Sequence, residues 1–343
     1  MKLPRACYVL LLLTALTLAA CKPSPDPTVR FTGATMGTSY DLKLIPAPGQ
    51  TVPDDFQTRV ETLLARINKT LSTYDPDSEL SRFNQNTSTD WIAVSPELQQ
   101  IVTEALRISE LSDGAFDITV GPLVNLWGFG PESRRDQVPT DAAIAQARER
   151  VGYRQLSTRE APPALRKNRS DLYVDLSAIA KGYGVDRLAA LVETVGIDNY
   201  LASIGGEIRA KGRNGQGQSW TIAIEKPVAG QRAVERLIQL GDHSVSTSGD
   251  YRNFFEQNGQ RYSHIIDPRT GWPVPQTLGS VTVIADRSMI ADATATALMA
   301  TGLEFGFQLA TDHHVAAFFI TQDPTGFQER YTPEFANYLA PDP

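Results

Sequence analysis

Cysteine is nearly missing from this chain: Cys7 and Cys21 are the only two in 343 residues. Both sit near the N-terminus, so the body carries no thiol for a disulfide, a thiolate nucleophile or a cysteine metal site. Basic excess is also missing. A formal net charge of −7 excludes the positive footprint of a nucleic-acid binder, although backbone N–H groups, one lysine and a metal ion can still build a phosphate site. No run is long enough for a comfortable transmembrane helix, and no internal repeat, low-complexity tract or clean linker divides the chain. The pattern G-x-x-x-x-G-K-[ST] does not occur, so a Walker-type nucleotide site is not supported.

The one sustained apolar run, Tyr8 to Ala20, follows Lys2 and Arg5 and has the length of a secretory h-region. It ends in LAAC (18–21), which resembles the lipobox of bacterial lipoproteins, with Cys21 as the lipidated first mature residue. A cleaved signal with a free Cys21 thiol is the alternative. KPSPDPT (22–28) reads as a semi-rigid spacer. The expected organisation is a signal peptide over 1–20, a lipidated cysteine and tether over 21–30, and one catalytic body over 31–343. Lys22 after the cysteine favours an outer-membrane over an inner-membrane address, on the periplasmic side.

Periodicity predicts a strand at 38–45, with Tyr40, Leu42 and Leu44 on one face. It predicts an amphipathic helix at 54–71 through Phe56, Val60, Leu64, Ile67 and Leu71. A third element, a helix, opens at Ser95–Pro96. LYVDL (172–176) reads as a strand feeding a helix to about 195, and 199–212 as strand, glycine break, strand. A helix is expected at 288–301 and a closing strand at 315–321. Stretches 128–140 and 158–170 read as irregular. Strands and helices alternate without a regular βαβ repeat, which predicts an α+β fold.

Several segments invite chemistry. In MIADATATALMATG (289–302), Asp292 and Thr296 lie four apart on an apolar helix. They are either an N-cap with a spare threonine or two oxygen ligands for a hard cation. Tyr74 lies in a turn, where it would stack on a planar ligand or cap the core. The glycines and aromatics around Phe116, Trp127 and Phe129 suit a flat ring, and equally an ordinary chain reversal. Lys181 stands in the first turns of a helix, where it would add a full charge to an anion-binding N-terminus. Of four histidines, His243, His313 and His314 fall in polar loops, whereas His264, beside Ile265 and Ile266, falls where a strand meets a turn.

Taken in order, TMGTSY (35–40), STYDPDSELSRFN (72–84), GAFDITVGPLVNLWGFG (114–130), DLSAIAKGYGVDRL (175–188), SIGGEI (203–208), STSGDYRNFF (246–255), HIIDPRTGWPV (264–274) and ADATATAL (291–298) resemble the ApbE-type family of FAD:protein FMN transferases. The resemblance implies a T-fold-related α+β body with FAD in a cleft. It implies Mg2+-dependent transfer of FMN from FAD to a threonine or serine of membrane redox subunits, with AMP released. Met36, Tyr74, Ala115, Phe116, Asp117, Asp175, Lys181 and Ile265 would contact FAD. The main-chain oxygen of Ala178 and the side chains of Asp292 and Thr296 would bind the metal, and His264, with Lys181, would be catalytic. A FAD pyrophosphatase and a non-catalytic FAD-binding lipoprotein remain the alternatives. A solute-binding lipoprotein would show two similar lobes and a hinge, which the sequence does not suggest.

Overall fold

In the computed structural model, residues 27–131, 137–228, 230, 233–251, 253–275, 277–323 and 326–340 are described. The expected signal peptide, Cys21 and the first part of the tether lie outside them. Eight strands form one sheet in simple chain order: β1 (Val29–Thr35), β2 (Thr38–Leu44), β3 (Tyr200–Ile204), β4 (Glu207–Lys211), β5 (Ser244–Gly249), β6 (Leu278–Ala285), β7 (Ala316–Asp323) and β8 (Gly326–Tyr331). Every neighbouring pair is antiparallel. The helices are α1 (Phe56–Leu71), α2 (Glu79–Gln85), α3 (Pro96–Leu111), α4 (Gly121–Leu126), α5 (Asp141–Arg148), α6 (Ala180–Thr194), α7 (Ser288–Thr301), α8 (Leu303–Asp312) and α9 (Pro333–Ala336). The arrangement is the expected α+β in one body. Among the described residues no helix is long and apolar enough to cross a membrane.

Local chemistry accounts for the joints. β1 and β2 meet through Met36 and Gly37 with φ of 48° and 70°, the two positive values that a right-twisted two-residue hairpin requires. Ser78 and Ser95 cap α2 and α3 by accepting from Ser81 N (2.9 Å) and Leu98 N (3.2 Å).

One face of the sheet carries Tyr40, Leu42 and Leu44 against Phe56, Val60 and Leu64 of α1 and Val185, Leu188 and Val192 of α6. β6 is covered on both faces. Val281 and Val283 meet Ala291, Ala295 and Leu298 of α7, while Ile284 joins Ile224, Ile238, Phe318 and Phe335 on the other side. This double burial leaves only its last residue, Ala285, partly exposed. α7 is buried around most of its circumference, hence its lack of an amphipathic stripe.

Two expectations need correction, and one open reading is decided. Leu172–Leu176 is not a strand. The Asn84 side chain holds it instead, its amide donating to Val174 O and its Oδ1 accepting from Val174 N, both at 2.8 Å. The stretch 158–170 is mostly a hairpin, Leu156–Arg159 with Ala164–Lys167; its proline and charge content obscured a strand pair too short to show a period. Trp127 faces no ligand: it is fully buried, packs on Phe255 and Tyr262, and donates to Gly271 O at 2.9 Å.

Candidate active site

A cavity of about 1070 Å³ opens between the β1–β2 turn, the loops before α4 and α6, the β3–β4 turn and the buried helix α7. Every residue that the resemblance assigned to FAD, metal or catalysis lines it: Met36, Tyr74, Ala115, Phe116, Asp117, Asp175, Ala178, Lys181, His264, Ile265, Asp292 and Thr296. Tyr74 stands on the rim, 65% exposed.

The approach to α6 is built by side chains. Asp175 Oδ1 accepts from Ser177 N (2.8 Å) and Ser177 Oγ (2.6 Å), and Leu176 O accepts from Ile179 N and Ala180 N. The N–H of Gly182, the third residue of α6, has no acceptor within the helix, and it donates to Asp292 Oδ2 at 2.9 Å. Ala178 O keeps no backbone donor among the described residues. Gly182 is obligatory here, because a Cβ at that position would lie 2.3 Å from Ser288 O and 2.8 Å from Asp292 Cβ.

Asp292 is therefore no N-cap. It lies inside α7, whose N-cap position is Arg287. Its partner Thr296 is equally telling. Thr70, Thr301 and Thr311 each return their hydroxyls to the carbonyl four residues back, the usual fate of a helical threonine. Thr296 Oγ1 makes no such bond and faces the cavity.

Lys181 lies between two buried carboxylates. It is hydrogen-bonded to Glu207 Oε1 and lies 3.6 Å from Asp292 Oδ1. Burial alone would lower its ammonium pKa, but the charges of Asp292 and Glu207 outweigh that and hold it protonated. Asp292 is pushed up to about 6, chiefly by burial and also by Glu207, against the pull of Lys181. Glu207 is anchored in turn by Ser246 Oγ at 2.7 Å. Glu207, Ser246 and Gly182 were missed from the sequence; the acid directly after Gly205–Gly206 was the one available signal.

His264 sits in the break between the strand Gln260–Ser263 and Ile266–Asp267. Its Nδ1 lies 3.1 Å from Asn253 O; a carbonyl only accepts, so Nδ1 carries the proton and Nε2 keeps its lone pair. Burial lowers its pKa, and Lys181 adds to that. Asp117 lines the cavity. Its carboxylate is spent on Thr119 N, Thr119 Oγ1 and Tyr153 N, each at 2.7 Å, and burial raises its pKa against those donors.

Fold and site define an α+β protein with one large cleft that ends in a lysine, a free helical hydroxyl and a buried carboxylate. The family model described as "ApbE family" matches residues 36–319, and the chain belongs to the ApbE family. It is 47% identical over 333 residues to the FAD:protein FMN transferase of Vibrio cholerae, spanning 97% of this chain and 99% of that one. To the Escherichia coli K12 protein of the same name it is 40% identical over 340 residues, 96% of this chain and 97% of that one. Among solved structures, the flavin transferase ApbE from Vibrio cholerae superposes with a TM-score of 0.85, covering 92% of this chain and all (100%) of that one at 47% identity. The apo Pseudomonas stutzeri flavinyl transferase ApbE gives 0.84 at 38% identity, with 94% and 100% covered.

Proposed function

We propose that this protein transfers FMN from FAD to a threonine or serine hydroxyl of an acceptor subunit in a membrane redox complex, releasing AMP. The hydroxyl oxygen forms a bond to the flavin-side phosphorus, the pyrophosphate P–O bond breaks, and AMP leaves with that oxygen. The observation that carries the reading is the meeting of Lys181, His264, Asp292 and Thr296 on one cavity in a chain whose relatives are named for this transfer.

Lys181, held protonated, places a full positive charge where phosphate oxygens would gather charge in the transition state. His264 offers Nε2 to the acceptor hydroxyl and takes its proton. Two helices and a strand end fix these groups before substrate arrives, which keeps the orientation cost low.

The residues fit a magnesium ion. Ala178 O accepts from no backbone donor among the described residues, Thr296 Oγ1 is unpaired among the described residues, and Asp292 is buried beside them. These are hard oxygen donors that leave room for phosphate and water. When bound, the ion would supply positive charge to the pyrophosphate oxygens.

The same reading tethers the chain by a lipid on Cys21 to the periplasmic face of a bacterial membrane, the outer one preferred. Cys21→Ala should then move the protein from the membrane to the soluble fraction.

The deciding experiment incubates the protein with FAD, magnesium and the purified extracytoplasmic domain of a membrane redox subunit, followed by in-gel flavin fluorescence after denaturation. A fluorescent acceptor band and one AMP per flavin support transfer. AMP with FMN left free would indicate hydrolysis, and bound FAD without either product would leave only a carrier.

A further inference from the structure

The hairpin Thr221–Glu225/Val234–Gln239 stands outside the main sheet, and its first strand borders the cavity through Ala223. Its register pairs Thr221 with Gln239, Ile222 with Ile238 and Ala223 with Leu237. In an antiparallel pair, hydrogen-bonded residues alternate with residues whose N–H and C=O point outward. Leu240 N donates to Trp220 O at 3.0 Å, so the even-numbered residues of the first strand bond across and Thr221 and Ala223 point out.

The two outer edges of this hairpin have different fates. On the Val234–Gln239 side, Gln239 N donates to Tyr338 O (2.8 Å) and Ala340 N donates to Leu237 O (3.0 Å). The C-terminal segment thus closes that edge. On the other side, no described residue bonds to the N–H or C=O of Thr221 or Ala223, and both residues are exposed. An open strand edge is a template for another chain. Here it is continuous with the substrate cavity.

Resting on the proposed transfer, we infer that the acceptor polypeptide docks in extended form as a third strand on the Thr221–Ala223 edge and sends its hydroxyl residue past Ala223 into the cavity. The occupant follows from what the edge offers. It presents unfilled backbone donors and acceptors rather than free charge, since the adjacent Lys226 is paired with Glu235 at 3.3 Å. The group that complements such an edge is another extended backbone. A folded acceptor can bring a hydroxyl into a recessed cavity on such a segment, and strand addition fixes its register while leaving alternate side chains pointing away.

The test uses a synthetic 11-residue peptide spanning the residue that mass spectrometry finds flavinylated in the redox-subunit domain. Each backbone amide is N-methylated in turn, and KM for peptide is measured with FAD saturating. Strand addition predicts a period-two pattern: methylation of every second amide near the hydroxyl raises KM tenfold or more, and the amides between tolerate it. Thr221→Pro, which removes one outward N–H at a strand-initial position where proline is accepted, should raise KM for peptide without changing the Kd for FAD. Uniform tolerance of methylation, or uniform loss without alternation, overturns the docking mode while leaving the transfer reading intact. Rejection of the unmethylated peptide when the intact domain is flavinylated also overturns it. If the intact domain is never flavinylated, the transfer reading fails and the docking proposal falls with it.

Discussion

Gly182→Ala is the most informative single perturbation, because two opposing effects of known size meet there. In an ordinary helix interior this change stabilises by about 1 kcal/mol. In α6 the new methyl would lie 2.3 Å from Ser288 O, 2.6 Å from the Ser288 carbonyl carbon and 2.8 Å from Asp292 Cβ. The first two are backbone atoms of α7, which cannot rotate aside, so overpacking costs about 3 kcal/mol, the upper part of its usual range. Parting the helices also stretches the 2.9 Å bond from Gly182 N to the Asp292 carboxylate, a charge-assisted bond worth about 1.5 kcal/mol or more. The clash wins, and the net loss is about 2–4 kcal/mol. In a domain of this size that lowers Tm by about 3–6 °C, measured by scanning calorimetry. Gly184→Ala is the control. Its methyl meets Ile204 Cδ1 at 2.9 Å and Met36 Cε at 3.1 Å, the tips of side chains that can swing away, and it should cost visibly less. A Gly182→Ala protein as stable as the parent and fully active would refute the claim that close contact of α6 with α7 holds the Gly182 N–H on the Asp292 carboxylate.

Three further outcomes follow from the geometry. Asp292→Asn should keep the fold but abolish both transfer and the rise in Tm that magnesium with FAD gives the parent; an unchanged magnesium titration in that variant would remove Asp292 from the metal site. Because burial and Lys181 lower His264 below its ordinary value near 6.5, its neutral form prevails above that pH and is lost only on further acidification. The transfer rate should therefore be level through neutral pH and fall only on acidification below about pH 6.5, while His264→Gln should be slower by about 10²–10⁴ and keep only the acid limb that Asp292, pushed up to about 6, supplies; an activity that instead rises on acidification contradicts the base role. Asn84→Leu removes two 2.8 Å bonds to Val174 and should cost about 2–4 kcal/mol while weakening FAD binding through the displaced Asp175; unaltered FAD affinity in isothermal titration would show that this tether does not position the site.

Much was legible without coordinates because it is local. The apolar faces of β2 and α1, the serine cap of α3, and the spacing that puts Asp292 and Thr296 on one face of α7 depend on residues within a turn or two. What the sequence did not show is carried by partners far apart in the chain. The Gly182–Asp292 bond spans 110 residues, and it sets the carboxylate of α7 against the first turn of α6. Glu207 reads as one acid after two glycines until the fold brings Lys181 and Ser246 to its two oxygens. Leu172–Leu176 has the composition of a strand, yet its pairing partner is an asparagine side chain 90 residues earlier. Periodicity reports which face of an element is buried; it holds no record of which other element will lie against that face. The sequence by itself therefore settled most of the elements and the chemistry they carry, and packing of α6 on α7 and on the β3–β4 turn decided which groups meet at the site.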